Sequence, residues 1–381
     1  MDLSPFALKE WLEKHKHVRH DLAGSTGPKW ALGELLELGQ GVNGHTRGLL
    51  EELLGLGNSL PDIRQIALGY APSNGDADLR REIAIYHGVN PDWVVVTNGA
   101  SEAVQLLLIA LARPGGRVTL PSPGYPAFAA AANAAGVAAD FYAMSPAENF
   151  RASPREILAA TGSDTILVIV NSPHNPTGAV IERDTCIALA EALREAGIPL
   201  LVDEVFHPLY FGEAQPSAAD LANVVVVGDM SKALSMPGLR IGWIIDADAR
   251  RRERIVRARS YLSLGGSPLL EALALHALRN RKMVLDRVRN IASHNLAQLR
   301  LFMAGSRELL DWVPPSGGLL AFPWFRDGRN SREFCERLIA QGVSVAPGDC
   351  FGMPAHLRVD FGSQPGGIAE PLKIIEKELH K

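Results

Sequence analysis

The sequence predicts an α/β protein with a large domain built on a mostly parallel sheet covered by helices, joined to a smaller α+β domain. Three observations carry this. From about Asp76 to Ile245, amphipathic helical stretches alternate with short apolar runs. Those runs are β-branched and nearly continuous, the pattern of strands buried on both faces. Beyond about Ser267 the alternation gives way to a long helical region and shorter mixed segments.

Taken in order, the N-terminal segment up to about Gly44 shows no sheet character and is expected to pack on the smaller domain. Its GQGVNG stretch sets Gly39, Gly41 and Gly44 in a GxGxxG spacing. A dinucleotide site needs a strand before the first glycine, and the preceding GELLELG is helical in pattern, so no nicotinamide site is expected. His15, His17 and His20 have no common metal-ligand spacing and are expected at the surface. Helices are predicted over Asp76–His87, Ser101–Ala112 and Glu182–Ala196. Strands are predicted over Trp93–Thr97, Arg117–Leu120, Thr165–Val170, Pro199–Val202, Val224–Val227 and Ile241–Ile245. The arginine-rich run Asp246–Ser260 carries Ile255 and Val256 at core-facing spacing and reads as a solvated helix face, not a nucleic-acid patch. A long helical region follows over roughly Pro268–Ala304, then mixed segments to about Gly362 and a final helix. The expected division is residues 45–266 for the large, cofactor-binding domain, and 1–44 with 267–381 for the small one.

Composition narrows the class. The 381 residues suit two domains at roughly 100–200 residues each. With 21% charged and 47% hydrophobic residues the chain has the make-up of an ordinary globular enzyme. A net charge of −4 argues against a nucleic-acid partner, whose binder carries a basic footprint. Cys186, Cys335 and Cys350 are widely spaced and form no CxxC pair, which fits a reducing compartment and offers no zinc or disulfide framework. The N-terminus lacks the apolar core of a secretory signal, and no run of about 18 apolar residues occurs. A cytoplasmic protein without membrane partners is expected.

Three segments carry chemistry, each just after a predicted strand, where ligands sit in parallel sheets. Asn171–Gly178 (NSPHNPTG) combines prolines, asparagines and a glycine into a rigid turn with its amides held in place. In Leu200–Phe206 (LLVDEVF), Asp203 ends an apolar strand, where a carboxylate is costly unless it meets a positive partner. In Gly228–Trp243 (GDMSKALSMPGLRIGW), Lys232 follows the VVVV strand and Arg240 lies further on. Each alone is ordinary: a plain turn, a cap, a loop lysine with a salt-bridged arginine.

With TNGASEA and PSPGYPAF before them and LRVDFG after them, an ordered series over roughly Ala71 to Gly362, they resemble the class I/II aminotransferases of the pyridoxal-phosphate fold type I. The resemblance implies a seven-stranded, mostly parallel sheet and a pyridoxal 5'-phosphate cofactor. It implies an enzyme moving an amino group between an amino acid and a 2-oxo acid through a Lys232 Schiff base, as a homodimer with shared active sites. Lys232 is the implied covalent anchor and general base and acid, since only an amine serves both purposes. Asp203 is implied at the pyridine nitrogen, where it keeps the ring an electron sink. Asn175 would donate to the ring 3'-oxygen and help to fix the substrate, and Tyr125 would stack on the ring face. Gly99, Ala100 and Ser101 open a helix whose first amides and dipole favour a phosphate. Ser231 joins them, Arg240 adds a charge-assisted fork, and Tyr70 reaches the phosphate from the partner subunit. Arg358 would take the substrate α-carboxylate in a bidentate fork.

Two positions depart from that pattern. Phe206 stands where most relatives have a tyrosine that donates to the ring 3'-oxygen. Losing that donor favours the protonated imine, so the visible band is expected to stay in its protonated form over a wider pH range, which an absorbance titration measures. Asp229 stands where many relatives carry Ser or Thr against the phosphate, so it is expected to turn away, toward an arginine, or to serve another purpose. Phe206, FALKEWLEK with GELLEL, YLSLGGSPL (Tyr261–Leu269) and SKALSMPGLRIGW also resemble capreomycidine synthase. That keeps a lyase or cyclase acting on an amino acid open as the alternative; a non-catalytic cofactor-binding module is the weakest reading.

Overall fold

The computed structural model describes residues 6–39 and 65–381. Seven strands build the central sheet: β1 (Val94–Thr97), β2 (Arg117–Ser122), β3 (Ala138–Ala143), β4 (Thr165–Asn171), β5 (Leu200–Asp203), β6 (Val224–Asp229) and β7 (Gly242–Asp246). Their order is β1-β7-β6-β5-β4-β2-β3. The pairs among β2 to β6 are parallel, and only β7 runs against its neighbours β1 and β6. The expected mostly parallel, seven-stranded architecture is therefore present. β4, β5 and β6 are buried along their whole length, as continuous apolar runs demand. Full burial of each valine from Val224 to Val227 contributes about 1.5–3 kcal/mol.

Six of these strands lie within two residues of the predicted runs. β3 was not among them: AADFYA is an edge strand with mixed exposure, and Asp140 interrupts its apolar residues, so it forms no continuous apolar run.

Helices cover the sheet. α1 (Ala7–Lys14) buries Leu8 and Trp11. α2 (Ala77–His87) starts where the Asp76 carboxylate accepts from the amides of Asp78 and Leu79, and stops at Gly88, whose φ of 70° suits glycine. α3 (Ala100–Leu111) opens at Gly99, and α4 (Arg183–Glu195) fills the crossover between β4 and β5. α5 (Ala249–Leu262) is the arginine-rich run. Arg250, Arg254 and Arg257 are exposed as expected, but Arg259 is fully buried. It donates to the Ser73 carbonyl at 2.7 Å and stands 3.8 Å from the Glu102 carboxylate. Periodicity does not reveal a buried cation whose partners come from distant segments. The expected single helical region divides at Asn280 into α6 (Pro268–Arg279) and α7 (Arg281–Gly305).

A three-stranded antiparallel sheet follows: β8 (Leu320–Ala321), β9 (Ala346–Pro347) and β10 (Leu357–Asp360), in the order β8-β10-β9. The N-terminal segment joins this part, with His20–Asp21 pairing in parallel with Val343–Ser344. This corrects the expectation of no sheet character, since two residues are too few to show a period. Gly39 follows a helical turn over Leu32–Leu36, while Gly41 and Gly44 lie outside the described residues. Cys186, Cys335 and Cys350 are buried free thiols. His17 is exposed, and His15 and His20 are half-buried. No helix among the described residues is long and apolar enough to cross a membrane.

Candidate active site

The carboxyl ends of β4, β5 and β6 and the N-terminus of α3 enclose a cavity of about 440 Å³. Parallel pairing sets Asn171 of β4 beside Asp203 of β5. The Asn171 amide donates to the Asp203 carbonyl at 2.9 Å, and its oxygen accepts from the Asn175 amide at 2.7 Å. The NSPHNPTG turn is thereby tied to the strand that ends in the carboxylate. Asn171 was not singled out from the sequence, although it sits inside the motif.

The Asp203 side chain faces the cavity with one hydrogen bond, from the Val205 amide at 3.1 Å. Burial pushes its carboxyl up to about 7. Lys232 also lines the cavity, and its Nζ donates to Ser25 Oγ at 2.8 Å. Loss of hydration holds the amine below its ordinary value, against the opposing pull of Asp229, Asp360 and Asp203. Asp229 does not turn away to an arginine. It lines the cavity, and its carboxylate accepts from the Ser231 amide at 2.9 Å.

Arg358 rises from β10 and is 1% exposed. Its Nη1 donates to Asn175 Oδ1 at 3.1 Å, and its Nη2 donates to the Ala23 and Gly24 carbonyls at 2.6 and 3.1 Å. Its Nε is buried without a partner among the described residues, and burial brings the guanidinium down to about 10.

At the opposite end, the first amides of α3 have no intrahelical acceptor. Gly99 has φ of 86°, and a Cβ there would strike the Arg240 guanidinium. Arg240 donates to the carbonyls of Asn98 and Pro237, both at 3.2 Å, and lies exposed at the cavity mouth. Ala100, Ser101 and Ser231 complete this polar end. Tyr125 and Phe206 add aromatic walls, with the Tyr125 ring edge-on to Phe6 and Phe128 at 6.0 and 5.6 Å. Tyr70 takes no part in its own chain's cavity and is 92% exposed.

One further cluster escaped the sequence. His87, Glu204 and His207 are buried with ligand-type atoms within 4.8 Å of one another. Trp243 Nε1 donates to His87 Nε2 at 3.0 Å, which leaves the ring's proton on Nδ1. Nδ1 lies 2.9 Å from Ser217 Oγ and 3.4 Å from the Glu204 carboxylate. A nitrogen that carries a proton is no metal ligand, so the cluster is a hydrogen-bond network.

The cavity thus has an anion-binding pole, a carboxylate without a positive partner among the described residues, and a depressed amine, with Arg358 tied to its wall through Asn175. This donor set fits pyridoxal 5'-phosphate: helix amides and Arg240 for the phosphate, Asp203 for a protonated ring nitrogen, and Lys232 for the aldehyde. The chain belongs to the class I and II aminotransferases, whose family model matches residues 35–374. It is 32% identical to capreomycidine synthase of Streptomyces vinaceus over 378 residues, 98% of this chain and 93% of that one. Among solved structures, it is similar to a PLP-dependent aminotransferase from Streptococcus suis, with a TM-score of 0.85, 26% identity, and coverage of 100% and 97% of the two chains. It is equally similar in fold to the PLP-dependent cyclase OrfR, with a TM-score of 0.85, 28% identity, and coverage of 100% and 98%.

Proposed function

We propose that this chain is a pyridoxal-phosphate-dependent aminotransferase that moves an amino group between an amino acid and a 2-oxo acid. The observation that carries the reading is the placement of Lys232 and Asp203 in one cavity whose Asn175 is held by Arg358. When bound, the cofactor supplies an electron sink for the electron pair left at the substrate Cα. The chain's own residues do the rest. The first amides of α3, Ser101, Ser231 and Arg240 hold the phosphate, and Tyr125 and Phe206 bound the ring. Asp203 would meet the ring nitrogen and favour its protonated form. Arg358 and Asn175 orient the substrate carboxylate. Lys232 Nζ would be the atom that takes the proton from the substrate Cα and carries it to its new position. Its depressed basicity suits both halves of that transfer.

The reading takes residues 45–266 as the cofactor-binding domain, and 1–44 with 267–381 as the small domain; the boundary at 44/45 lies outside the described residues, and the separate sheets of 94–246 and 320–360 support the division. We propose a homodimer with shared active sites, a reading supported by the exposure of Tyr70, and of Tyr261 at 85% with Leu262 and Leu264 at 56% each. In it, Tyr70 reaches the neighbouring phosphate. A cytoplasmic location agrees with the three free thiols.

Borohydride treatment of the purified yellow protein is expected to leave the cofactor's mass on the peptide bearing Lys232, and Lys232→Ala to lose both the mass increment and turnover. An unlabelled peptide in the wild type ends the reading. The similarity to capreomycidine synthase and OrfR favours one alternative, a cyclase or lyase acting on an amino acid. Transamination requires a 2-oxo acid acceptor and yields a new amino acid from it, whereas the alternatives consume a single amino acid. Product analysis with and without acceptor separates them.

A further inference from the structure

The geometry points to Ser25 as a positioning residue that holds the freed Lys232 amine in place for proton transfer, presented by a loop that the substrate-carboxylate receptor itself secures. This rests on the reading of Lys232 as the proton carrier.

A lysine amine rides on a flexible four-carbon stem, and once free it has many rotamers to occupy. The bond from Lys232 Nζ to Ser25 Oγ, at 2.8 Å, selects one of them. A hydroxyl accepts from an ammonium and can also donate to a neutral amine, so it follows the nitrogen through both protonation states.

Ser25 is not loosely placed. The Leu22 amide donates to the Ser344 carbonyl, and the Asp360 amide donates back to the Leu22 carbonyl, both at 2.8 Å. Arg358 Nη2 grips the Ala23 and Gly24 carbonyls. The Thr26 amide donates to the Asp360 carboxylate at 3.2 Å, and Ser235 Oγ donates to the Pro28 carbonyl at 2.6 Å. The flanking glycines are needed for this fit. A Cβ on Gly24 would stand 3.1 Å from Asp360 Oδ2, and one on Gly27 would stand 2.8 Å from Ser235 Oγ. The loop is thus held from both sides of Ser25, and its hydroxyl meets Lys232 from the N-terminal side of the cavity. The charged groups felt by the amine are Asp229 of β6, Asp203 of β5, and Asp360 and Arg358 of β10. Ser25 is the neutral member of the set, able to orient the amine without fixing its charge.

Arg358 therefore has two tasks. It receives the substrate carboxylate, and it holds the two carbonyls just before Ser25. Carboxylate binding and amine placement share one guanidinium.

The test uses the holoenzyme, with Ser25→Ala and Ser25→Thr compared with wild type. Ser25→Ala is expected to keep borohydride capture on Lys232 and its melting temperature. It is expected to slow the single-turnover reaction with an amino donor about tenfold, the equivalent of roughly 1.4 kcal/mol, and to enlarge the isotope effect of a Cα-deuterated donor. Ser25→Thr, which keeps the hydroxyl, should restore most of the rate. In the cofactor-free protein, competitive acetylation of Lys232 near neutral pH should run faster in Ser25→Ala, because losing an acceptor disfavours the ammonium. Unchanged rate, isotope effect and acetylation would overturn the inference. So would equal losses in both variants with a lowered melting temperature, which mark a purely structural hydroxyl. If wild-type Lys232 is not captured by borohydride, the failure belongs to the functional reading and not to Ser25.

Discussion

Asp203 and Glu204 are neighbours in sequence and equally buried, each 6% exposed, yet they behave in opposite ways. Asp203 faces the cavity with one backbone donor, and burial raises it to about 7. Glu204 meets the Ser217 hydroxyl and the Ala218 amide, both at 2.7 Å, with His87 beside it. Burial alone would raise Glu204 as well, but His87, His207 and the Ala218 amide bring it below its ordinary value. A carboxylate supplied with donors is finished structure, whereas one deprived of them is ready for a cation the chain does not supply. Adjacent residues near a strand end diverge this way because successive side chains point to opposite sides.

Three substitutions probe that contrast. Glu204→Ala leaves the Ser217 hydroxyl and the Ala218 amide without their acceptor and removes the carboxylate beside His87. It is expected to cost about 3–5 kcal/mol in urea unfolding of the cofactor-free protein. A loss under 1 kcal/mol breaks the claim that Glu204 is structural.

Asp203→Asn should act in the opposite direction. A carboxyl raised in the folded state gives stability that is complete below its unfolded value near 4 and lost as pH climbs through about 7. At pH 8 the cofactor-free variant is therefore expected to be more stable than wild type by about 2–4 kcal/mol, with no gain at pH 4. The same variant should hold the cofactor more weakly, because the ring nitrogen loses its anion. A pH-independent stability difference would sever Asp203 from the burial argument.

Trp243→Phe is the mildest change. It removes the donor to His87 Nε2 and should cost about 1–2 kcal/mol, with borohydride capture on Lys232 intact. Loss of capture would show that the two sides are coupled.

Much of this site is legible in the one-dimensional order of the chain. Lys232, Asp203, Asn175 and the Gly99–Ser101 turn sit where continuous β-branched runs end, and a parallel sheet gathers such ends along one edge. What escaped has a common character. β3 is an edge strand, so it lacks the apolar run that marks buried strands. Arg259 and the His87–Glu204 network draw partners from segments far apart in the chain, and no period encodes them. Of the two expectations for Asp229, turning away toward an arginine or another purpose, the first fails: β6 carries it into the cavity, with the Ser231 amide as its donor.

By itself, then, the sequence determined which chemistry is available: an amine, a carboxylate, an amide and two guanidinium groups at strand and turn ends, because strand period and turn residues are local properties. Tertiary structure alone decided which groups are satisfied and which are left wanting. Whether a carboxylate is finished or waiting, and whether an amine has a hydroxyl to rest on, depends on donors that arrive from elsewhere in the chain. Ser25 lies 207 residues from Lys232, and Ala23 lies 335 from Arg358. Burial and hydrogen bonding across such separations are properties of the packed molecule, which no local pattern contains.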